Sequence, residues 1–481
     1  MEMKWDTLLS DKRVRDFFLE SRGRVQDHRT EFERDYDRAI FTTPVRRLHD
    51  KTQVFPLEPN DSVRTRLTHS LEVSTVARDM ARAIGSWLED KKVINEKQEK
   101  AIETIAATCG LIHDLGNPPF GHAGESAIVD WFRKQKLDFW DFGESFADKE
   151  QLKNDFLEFQ GNAQTLRLIA KLQLLSDPYG LNFTCATMSA ICKYTAPSHK
   201  LNEEYHETKK VGYFASEESL IELIRSETGT GDARNPISFI VEAADDIVYS
   251  VVDLEDGVKK RVFDWMTLKN LLKESSKGDT KLLQNCFDKA KYMIREKPGH
   301  IELIGKARDE ALAQAFRVFA IGESVSAVLT TFKEKFQQIM NGDYHKELYE
   351  DSSAKMLIKA CKKVGNNYVY CAENNLKLEV MARHVIHHLM DIFWEGVAER
   401  KDKSNRFANK IYGLISDNYR DVFENPRKGS EVLEQYKRVV ENTSTKDKLP
   451  EKYNCMRLLT DYICGMTDTF ACTSHKRLTN G

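Results

Sequence analysis

Residues 109–125 of this 481-residue chain read CGLIHDLGNPPFGHAGE, and this stretch decides the fold and chemistry that we expect. It places His113 and Asp114 at the end of an apolar helical pattern, before a rigid Gly/Pro turn. Imidazole and carboxylate groups are ligands for divalent metal ions. After the turn, His122 and Glu125 have the residue types of an acid/base pair. Such a site needs further ligands and a substrate pocket, which the rest of the chain must supply.

The overall composition is that of a soluble globular protein, with 41% hydrophobic and 31% charged residues. The net charge of −3 gives no general bias towards nucleic acid. The nine cysteines form no C-x-x-C pair, so we expect reduced thiols and a cytoplasmic protein. The sequence starts without a signal-peptide pattern, and no segment approaches the ~18 consecutive apolar residues of a membrane helix, so no membrane partner is expected.

The residue pattern predicts an all-α protein, because prolines are few and apolar residues recur at helical spacing. Turn signals such as ENPRKGS (424–430) separate the helical patterns. We divide the chain into an N-terminal arm (1–60) that contributes to the active site, a helical core (61–260) and a helical C-terminal region (261–481). The arm contains three basic clusters, DKRVRD (11–16), SRGRVQDHR (21–29) and RRLHDK (46–51). Acidic residues are interleaved, which favours a solvated face over contact with phosphate or nucleic acid.

A second histidine lies on the inward side of an earlier helical pattern. RLTHSLEVSTVARDMARAI (66–84) places His69 in line with Val73, Val76 and Met80. A lone histidine there is more often part of the core than a ligand. His113 also continues an apolar stripe, and Gly116 is a plausible helix stop. Burying an ionised aspartate is costly unless it is paired or bound to a cation, so the two histidines with Asp114 favour a metal site.

The third segment is NPISFIVEAADDIVYSVVDLED (235–256), in which Asn235 and Pro236 have the residue types of a helix N-cap and first helical position. Asp245, Tyr249 and Asp253 then follow at intervals of one helical turn along the border of an apolar stripe. A cation at one end and a hydrogen-bonded ligand at the other would satisfy both carboxylates. Three other acidic residues are expected to form a solvated edge: Asp246, Glu255 and Asp256.

These motifs together resemble bacterial deoxyguanosine triphosphate triphosphohydrolases (dGTPases) of the HD phosphohydrolase superfamily. The resemblance rests on QVFPLEPNDSVRTRLTHSLEV (53–73), GLIHDLGNPPFGHAGE (110–125), FQGNAQTLRL (159–168), CKYT (192–195), EAADDIVYSVVDLED (242–256) and RLLTDYICGMTDTFA (457–471). It implies an HD-domain helical core with an additional helical C-terminal half, and places the matching motifs between about residues 40 and 475.

The resemblance implies one divalent metal ion per subunit, held by His69, His113, Asp114 and Asp245. Asp245 is preferred to Asp246 because the family's D-x-x-x-Y-x-x-x-D pattern starts at Asp245, and because Asp246 is rotated by ~100° on a helix. Two neutral imidazoles and two carboxylates leave positions open for water and a phosphate oxygen. This ligand set suits Mn²⁺, Fe²⁺, Co²⁺ or Mg²⁺, and the sequence does not choose among them.

The implied reaction is attack of water on the α-phosphorus of dGTP, which releases deoxyguanosine and inorganic triphosphate. The metal is expected to polarise a phosphate oxygen and to lower the pKa of bound water. His122 is the expected acid or base, with Glu125 orienting its ring. The alternative for His122 is a loop histidine that caps the next helix.

The resemblance also assigns residues to each part of the nucleotide. Phosphate contacts are expected from Arg66, Asn162 and Lys193. Contacts to the deoxyribose are expected from Gln53, Val54, Tyr249 and Asp253, with the Tyr249 ring leaving no room for a 2′-hydroxyl. YCAENNLKLEV (370–380) resembles the segment that reaches the guanine, which makes Tyr370 a stacking residue and Glu379 an acceptor of guanine hydrogens.

Two rival functions remain open. The first is another HD enzyme, either a dNTP triphosphohydrolase of broader specificity that a second nucleotide activates or a phosphodiesterase. The second is a regulator that keeps the fold and binds nucleotides or single-stranded DNA. The resemblance implies a homo-oligomer. His384, His387 and His388 have spacing that would suit a metal, but they lack an H-E-x-x-H pattern and are interpreted as surface or packing residues.

Overall fold

The computed structural model describes residues 2–17, 28–58, 60–143, 149–173, 179–276, 280–297, 299, 301–402, 404–424 and 449–479. Most of SRGRVQDHR (21–27) and of ENPRKGS (425–430) lies outside the described residues. The described part confirms the all-α prediction, since nearly all of its elements are helices. Its sheet consists of two short parallel strands, β1 (Ala196–Pro197) and β2 (Val211–Tyr213).

The α-helices of the first half are α1 (Trp5–Leu8), α2 (Glu31–Ile40), α3 (Thr43–Arg47), α4 (Arg66–Asp90), α5 (Glu96–Ile112), α6 (Gly121–Arg133), α7 (Lys149–Leu157), α8 (Gly161–Arg167), α9 (Cys185–Ala190), α10 (Glu218–Thr228) and α11 (Pro236–Lys259). Those of the second half are α12 (Trp265–Ser275), α13 (Lys281–Lys291), α14 (Gly305–Asn341), α15 (Lys355–Val364), α16 (Glu373–Ala398), α17 (Arg406–Leu414), α18 (Asp417–Glu424), α19 (Glu451–Cys464) and α20 (Asp468–Thr479). Short 3₁₀ segments are Val14–Phe17, Leu48–Asp50, Leu137–Trp140, His206–Thr208, Ala215–Glu217 and Leu348–Asp351, and π-helical segments are Leu168–Leu172, Tyr292–Glu296 and Gly365–Val369.

The helices that carry the site begin at well-formed caps. The Thr65 side chain accepts a hydrogen bond from the Thr68 amide at the start of α4. Asn235 caps α11 and Pro236 is its first residue, as the sequence predicts. Cap side chains satisfy amide groups that lack helical partners, so they fix where a helix starts. The caps therefore fix His69 in the first turn of α4 and Asp245 in the third turn of α11.

Helix α11 is the central element of the fold. It packs against α4, α5, α14 and α15, and its residues are buried on every side except near Asp245, Tyr249 and the last turn. A helix that is buried all round lies in the core of a protein rather than at its surface. The one opening along α11 is the side on which two of the predicted site residues lie.

Helix α5 ends earlier than the sequence indicates. It ends at Ile112, and residues 113–116 form a turn, so Gly116 is not its stop. A Cβ atom at Gly116 would lie 2.2 Å from the Thr165 amide nitrogen and 2.3 Å from the Gly161 carbonyl oxygen. Gly116 is required for the close approach of this turn to α8, which brings the two segments of the site together.

The N-terminal residues pack into the body of the protein. Met3, Trp5 and Leu8 share a hydrophobic cluster with residues of α4 and α11, and the Met3 amide donates to the Met340 carbonyl at 2.8 Å. The expectation of a solvated basic face is wrong for Arg13 and Lys51, which are 5% and 4% exposed. Arg13 is paired with carboxylates of the arm, and Lys51 donates to backbone carbonyls, which offsets part of the cost of burying each charge. Burial still lowers the pKa of Lys51 to about 8.

The C-terminal helices share a hydrophobic cluster with the first half of the chain. Residues of α16, α19 and α20 belong to the same cluster as residues of α6 and α8.

Helix α14 contains an 18-residue window with a mean hydropathy of 1.3, and 39% of that window is buried. A core helix of a soluble protein also reaches that hydropathy, and α14 packs against α11 and α13. The division of the chain at residues 60 and 260 stays a prediction.

Candidate active site

The four predicted metal ligands lie together at the opening along α11. Nε2 of His69 is 3.1 Å from Oδ1 of Asp245, and Nε2 of His113 is 3.6 Å from the same oxygen. Nε2 of His113 is also 3.4 Å from Oδ2 of Asp114. The imidazole rings of His69 and His113 have centroids 5.5 Å apart. Helix α4, the end of α5 and helix α11 therefore each contribute to one cluster of two imidazoles and two carboxylates.

The electrostatics of this cluster suit a cation. Burial lowers the pKa of His113, but the carboxylates of Asp114 and Asp245 outweigh it and raise that pKa to about 9. Burial raises the pKa of Asp245, but His113 and His69 outweigh it and bring that pKa to about 2. The two carboxylates therefore stabilise a positive charge at the centre of the cluster. A proton and a metal ion compete for such a position.

Unused donor atoms show that these residues fit a metal ion. Among the described residues, the buried Nε2 of His113 has no hydrogen-bond partner. Its Nδ1 is bound to the Gly110 carbonyl at 2.8 Å, which fixes the ring so that Nε2 faces the carboxylates. A backbone hydrogen bond of this kind is typical of a histidine that coordinates a metal through its other nitrogen.

The Arg66 side chain lies beside the cluster, where it already contacts two partners. Its Nη1 contacts Oδ2 of Asp114, and its Nε donates to the Thr52 carbonyl at 3.0 Å. Arg66 and His113 together hold the pKa of Asp114 well below its usual range, although burial opposes them. Asn117 donates to the other oxygen of Asp114 at 2.6 Å. The structure thus places Arg66 on a proposed metal ligand, and its contact with phosphate stays a prediction.

His122 and Glu125 lie on the first turns of α6, at the edge of the same cavity. The His122 side chain is exposed. Glu125 accepts the Gly161 amide at 2.8 Å, and within the described part of the chain no hydrogen bond joins it to His122. In this geometry Glu125 anchors the start of α8, and the orienting contact that the sequence analysis expects is not formed.

The turn before α6 is held by a residue near the other end of the chain. Phe120 has a left-handed conformation, with φ of 65°, and its amide donates to Oδ1 of Asp468 at 2.8 Å. Oδ2 of Asp468 accepts the Thr52 amide at 3.0 Å and contacts the Thr52 hydroxyl. Asp468, the first residue of α20, therefore joins the segment before Gln53 to the segment before His122. The sequence analysis quoted its motif without giving it a role.

The cavity above the cluster has a volume of about 560 Å³. Of the predicted site residues, every one except Asp253 lines it: Gln53, Val54, Arg66, His69, His113, Asp114, His122, Glu125, Asn162, Lys193, Asp245, Tyr249, Tyr370 and Glu379. Asp253 is 2% exposed and lies behind Tyr370, whose hydroxyl donates to its Oδ2. The stacking residue and the sugar residue of the sequence analysis are thus in direct contact.

Sequence reasoning missed three lysines that line this cavity, Lys209, Lys210 and Lys362. Lys209 and Lys210 lie just before β2, and Lys362 is in α15, where its Nζ is 5.3 Å from the centre of the Tyr249 ring. Together with Lys193 they give the cavity lining four lysines, which we call the lysine wall. Lys193 and Lys362 lie beside the carboxylates of Glu242 and Asp246, at 3.5 and 3.0 Å. Most lysines are exposed and solvated, so no local signal in the sequence separates these three from the rest.

The acidic residues of α11 correct another expectation. Asp246, Glu255 and Asp256 are 3%, 5% and 1% exposed, so the predicted solvated edge is wrong. Lys362 pairs with Asp246 at 3.0 Å, Arg317 with Glu255 at 2.6 Å and Arg64 with Asp256 at 2.7 Å. Burial raises the pKa of Asp246 to about 7 despite Lys362 and Lys193. These carboxylates are buried because cations from distant segments reach them.

A second group of potential ligands consists of His206, Glu242 and Glu347, of which the two glutamates line the cavity. Glu242 is already bound by Arg234 at 2.6 Å and by His206 at 2.5 Å, and Lys193 is 3.5 Å from it. Arg234, Lys193 and the contact with His206 hold the pKa of Glu242 below its usual range, although burial opposes them. The group is an ion-pair network that positions Lys193.

Residues 66–182 match the family model described as "HD domain", which covers α4 to α8 and so includes His69, His113 and Asp114. The fold and this cluster place the chain in the HD class, in which a divalent metal is implied.

Curated relatives match over nearly the whole chain. A "Deoxyguanosinetriphosphate triphosphohydrolase-like protein" of Listeria innocua is 36% identical over 99% of both chains. A "Deoxyguanosinetriphosphate triphosphohydrolase" of Klebsiella pneumoniae is 31% identical over 93% of both chains. The chain belongs to the deoxyguanosinetriphosphate triphosphohydrolase family, and it is a hydrolase of nucleoside triphosphates.

Proposed function

We propose that this protein hydrolyses dGTP to deoxyguanosine and inorganic triphosphate, by attack of water on the α-phosphorus. The observation that carries the proposal is that the imidazole–carboxylate cluster, four lysines, Tyr249 and Tyr370 all line one cavity. The choice of guanine rests on the printed names of the relatives and on the resemblance at residues 370–380.

His69, His113, Asp114 and Asp245 would hold one divalent cation. When bound, such a cation polarises a phosphoryl oxygen and acidifies a coordinated water. The protein's own part is to fix the ligands in place. The Gly110 carbonyl orients His113, and Arg66 and Asn117 together hold both oxygens of Asp114.

The lysine wall binds the triphosphate. Lys193, Lys209, Lys210 and Lys362 line the cavity beside the cluster, so a chain of phosphates can extend from the cation along them. Asn162, in the first turn of α8, adds an amide donor to the cavity lining. Charge-assisted hydrogen bonds to phosphate are stronger than neutral ones, and they position the α-phosphorus next to the attacking water.

His122 transfers the proton. A bond forms between the water oxygen and the α-phosphorus, and the bond from phosphorus to the 5′ oxygen breaks. The proton released by water is taken up at the imidazole, and the 5′ oxygen of deoxyguanosine receives a proton as it leaves. The ring of His122 is exposed and lines the cavity. Glu125 contributes by anchoring Gly161, which precedes Asn162.

The sugar meets Tyr249, Gln53 and Tyr370. Tyr249 and Lys362 form a packed wall next to Asp245, so a sugar bound beyond the α-phosphate contacts the Tyr249 ring. A flat ring against C2′ leaves no room for a 2′-hydroxyl, which favours deoxynucleotides. The buried oxygen of Gln53 has no partner among the described residues and is available to a 3′-hydroxyl.

Product analysis tests this proposal. The full chain loaded with Mn²⁺ is incubated with each of the ribonucleoside and deoxyribonucleoside triphosphates, and the phosphate products are resolved by ion-exchange chromatography. We expect dGTP to be the best substrate and inorganic triphosphate to be the product. Pyrophosphate would contradict attack at the α-phosphorus with release of triphosphate. Equal rates on the deoxynucleotides, or a need for a second nucleotide, would favour the broader enzyme.

A further inference from the structure

Lys51 is a buried cation that the proposed reaction does not use. It is 4% exposed, and its Nζ donates to the carbonyl oxygens of Asn117 at 2.6 Å and of Cys464 at 2.7 Å. The first carbonyl belongs to the turn that follows His113 and Asp114, and the second belongs to the last residue of α19. Lys51 therefore joins the turn of the metal cluster to a helix near the other end of the chain.

Asn117 connects Lys51 to a proposed metal ligand. While its carbonyl accepts the hydrogen bond from Lys51, its side-chain amide donates to Oδ1 of Asp114 at 2.6 Å. Its backbone amide also donates to the Asp114 carbonyl at 3.3 Å, which closes the turn. The turn has little free space, because a Cβ atom at Gly161 would lie 2.2 Å from Oδ1 of Asn117. A displacement of the Asn117 carbonyl would therefore displace the amide that holds Asp114.

The backbone of Lys51 and Thr52 holds the other support of Asp114. The Lys51 carbonyl accepts the Arg66 amide at 3.1 Å, and the Thr52 carbonyl accepts Nε of Arg66 at 3.0 Å. Nη1 of Arg66 in turn contacts Oδ2 of Asp114. One oxygen of Asp114 thus depends on Asn117 and the other on Arg66, and both supports are bonded to the same two-residue segment.

The end of α19 gives Lys51 a fixed partner. The last carbonyl groups of a helix lack helical partners and carry a partial negative charge, so they attract cations. Lys51 binds the Cys464 carbonyl there, and Arg47 binds the carbonyl of the next residue, Gly465, at 2.9 Å. Within the described part of the chain, Arg47 makes no hydrogen bond to the turn that holds Asp114. Two cations of the N-terminal arm therefore cap one helix, and Lys51 is the one that also reaches the metal cluster.

We propose that Lys51 is a positioning residue for the metal ligand Asp114 and acts through Asn117. This inference rests on the proposed function, because it takes Asp114 as a ligand of the divalent cation. The Cys464 carbonyl holds the ammonium group, the ammonium group holds the Asn117 carbonyl, and the Asn117 side chain holds Oδ1 of Asp114. Replacing a residue that holds a metal ligand in place typically weakens metal binding by about 10- to 100-fold.

The protonation state of Lys51 agrees with this role. Burial lowers the pKa of Lys51 to about 8, helped by Arg66 and Arg47 and opposed by Cys464 and Asp468. The side chain therefore keeps its positive charge at pH 7 and donates two charge-assisted hydrogen bonds. An apolar side chain would leave both buried carbonyl oxygens without this donor, which is costly.

Manganese binding by the full chain tests the proposal. The Mn²⁺ affinities of the parent, Lys51→Met and Arg47→Met are measured by equilibrium dialysis and metal analysis, without substrate. Methionine fills the space of the lysine stem but donates no hydrogen bond. We expect Lys51→Met to weaken Mn²⁺ binding by about 10-fold or more. Arg47→Met, which removes the other cation at the same helix end, is expected to bind Mn²⁺ like the parent.

A double-variant cycle tests whether Lys51 acts through Asn117. Asn117→Ala removes the amide that holds Asp114 and keeps the carbonyl that Lys51 binds. Two residues that act on the same ligand in series have non-additive effects. We therefore expect most of the loss caused by Lys51→Met to disappear in the Asn117→Ala background. A full additional loss in that background would contradict action through Asn117.

Two further results would overturn the proposal. The first is unchanged Mn²⁺ affinity in Lys51→Met. The second is an equal loss in Arg47→Met, which would assign the effect to the docking of α19. A parent chain that binds no Mn²⁺ would refute the metal site of the proposed function itself, and this inference with it. Lys51→Gln, whose side chain is one bond shorter, replaces Lys51→Met if thermal melting shows that the methionine variant is unfolded.

Discussion

The phenol of Tyr370 donates a hydrogen bond to Oδ2 of Asp253, and it covers this carboxylate from the cavity. Oδ1 of Asp253 is buried and has no partner among the described residues. Burial raises the pKa of Asp253 to about 7, although the hydrogen bond from Tyr370 lowers it. A residue proposed for the base and a residue proposed for the sugar therefore act as one unit, and Tyr370 must move before a nucleotide reaches Asp253.

Asp253→Asn should make the stability of the protein less dependent on pH. The carboxyl keeps its proton up to about pH 7 when folded and loses it near pH 4 when unfolded, so the unfolded state binds fewer protons between these values. The contribution of this residue to the free energy of unfolding of the parent therefore falls by at most about 4 kcal/mol as pH rises through this window. Above the window this contribution is constant. Urea unfolding at pH 5 and pH 8 measures the difference. Equal pH dependence in parent and variant would refute the raised pKa, and Asp79→Asn, an exposed aspartate on α4, is the control.

Asp245→Asn should abolish metal binding at the cluster, while Asp246→Asn should retain it. Asp245 lies 3.1 Å from His69, whereas Asp246 is turned to Lys362 at 3.0 Å. We expect Asp245→Asn to weaken Mn²⁺ binding by more than about 100-fold, since a ligand matters at least as much as its supports. Metal analysis after dialysis measures the Mn²⁺ bound per chain. A stronger loss of Mn²⁺ in Asp246→Asn than in Asp245→Asn would show that Asp246 is the ligand.

His122→Ala should slow the chemical step without loss of metal. Removing a general acid or base costs about 10²- to 10⁴-fold in kcat. The measurements are kcat under saturating dGTP and bound Mn²⁺ per chain, with the exposed His49→Ala as the control. Full activity in His122→Ala would show that His122 is not the general acid or base.

Glu125→Gln distinguishes anchoring from orientation of His122. An amide oxygen can still accept the Gly161 hydrogen bond, which Glu125 makes at 2.8 Å. We therefore expect kcat to fall less than about 10-fold, well below the loss in His122→Ala. A loss equal to that of His122→Ala would mean that Glu125 tunes the imidazole when substrate is bound.

Replacing Lys209 and Lys210 together by alanine should raise KM for dGTP by about 10-fold or more. Hydrogen bonds to charged groups contribute about 1.5–3 kcal/mol each, and about 1.4 kcal/mol corresponds to a tenfold change. Steady-state kinetics at constant ionic strength measure KM, and the exposed Lys91→Ala is the control. An unchanged KM would show that the triphosphate does not lie along this wall.

The sequence predicts the centre of the site better than its walls. His69 and Asp245 lie on helices, and His113 directly follows one, whose caps and apolar periodicity are visible in the sequence. The resemblance joins the three residues into one set. Periodicity alone reports which side of a helix is apolar, not what covers the other side. Helix α11 is buried almost all round because α14 and α15 cover its acidic side, with Arg317 and Lys362 as partners. Those partners are distant in sequence, so the burial of Asp246 and Glu255 could not be inferred.

The lysine wall shows the same limit. Lys209 and Lys362 each look like ordinary surface residues when read locally. The environment of Lys362 arises because α15 packs against α11, and Lys362 and Asp246 are 116 residues apart in the sequence. Gly116 is a related case, since its role comes from α8 approaching it and not from the end of α5.

The contacts of Asp468 with Thr52 and Phe120 bear on when the protein becomes active during its synthesis. A ribosome that has completed residue 400 has made every proposed metal ligand and every lysine of the cavity, but it has not made the residue that joins the segments before Gln53 and His122. The nascent chain then holds the reactive groups without the contacts that set their spacing. We therefore expect an interrupted chain to be inactive, so that only completed molecules hydrolyse dGTP in the cell.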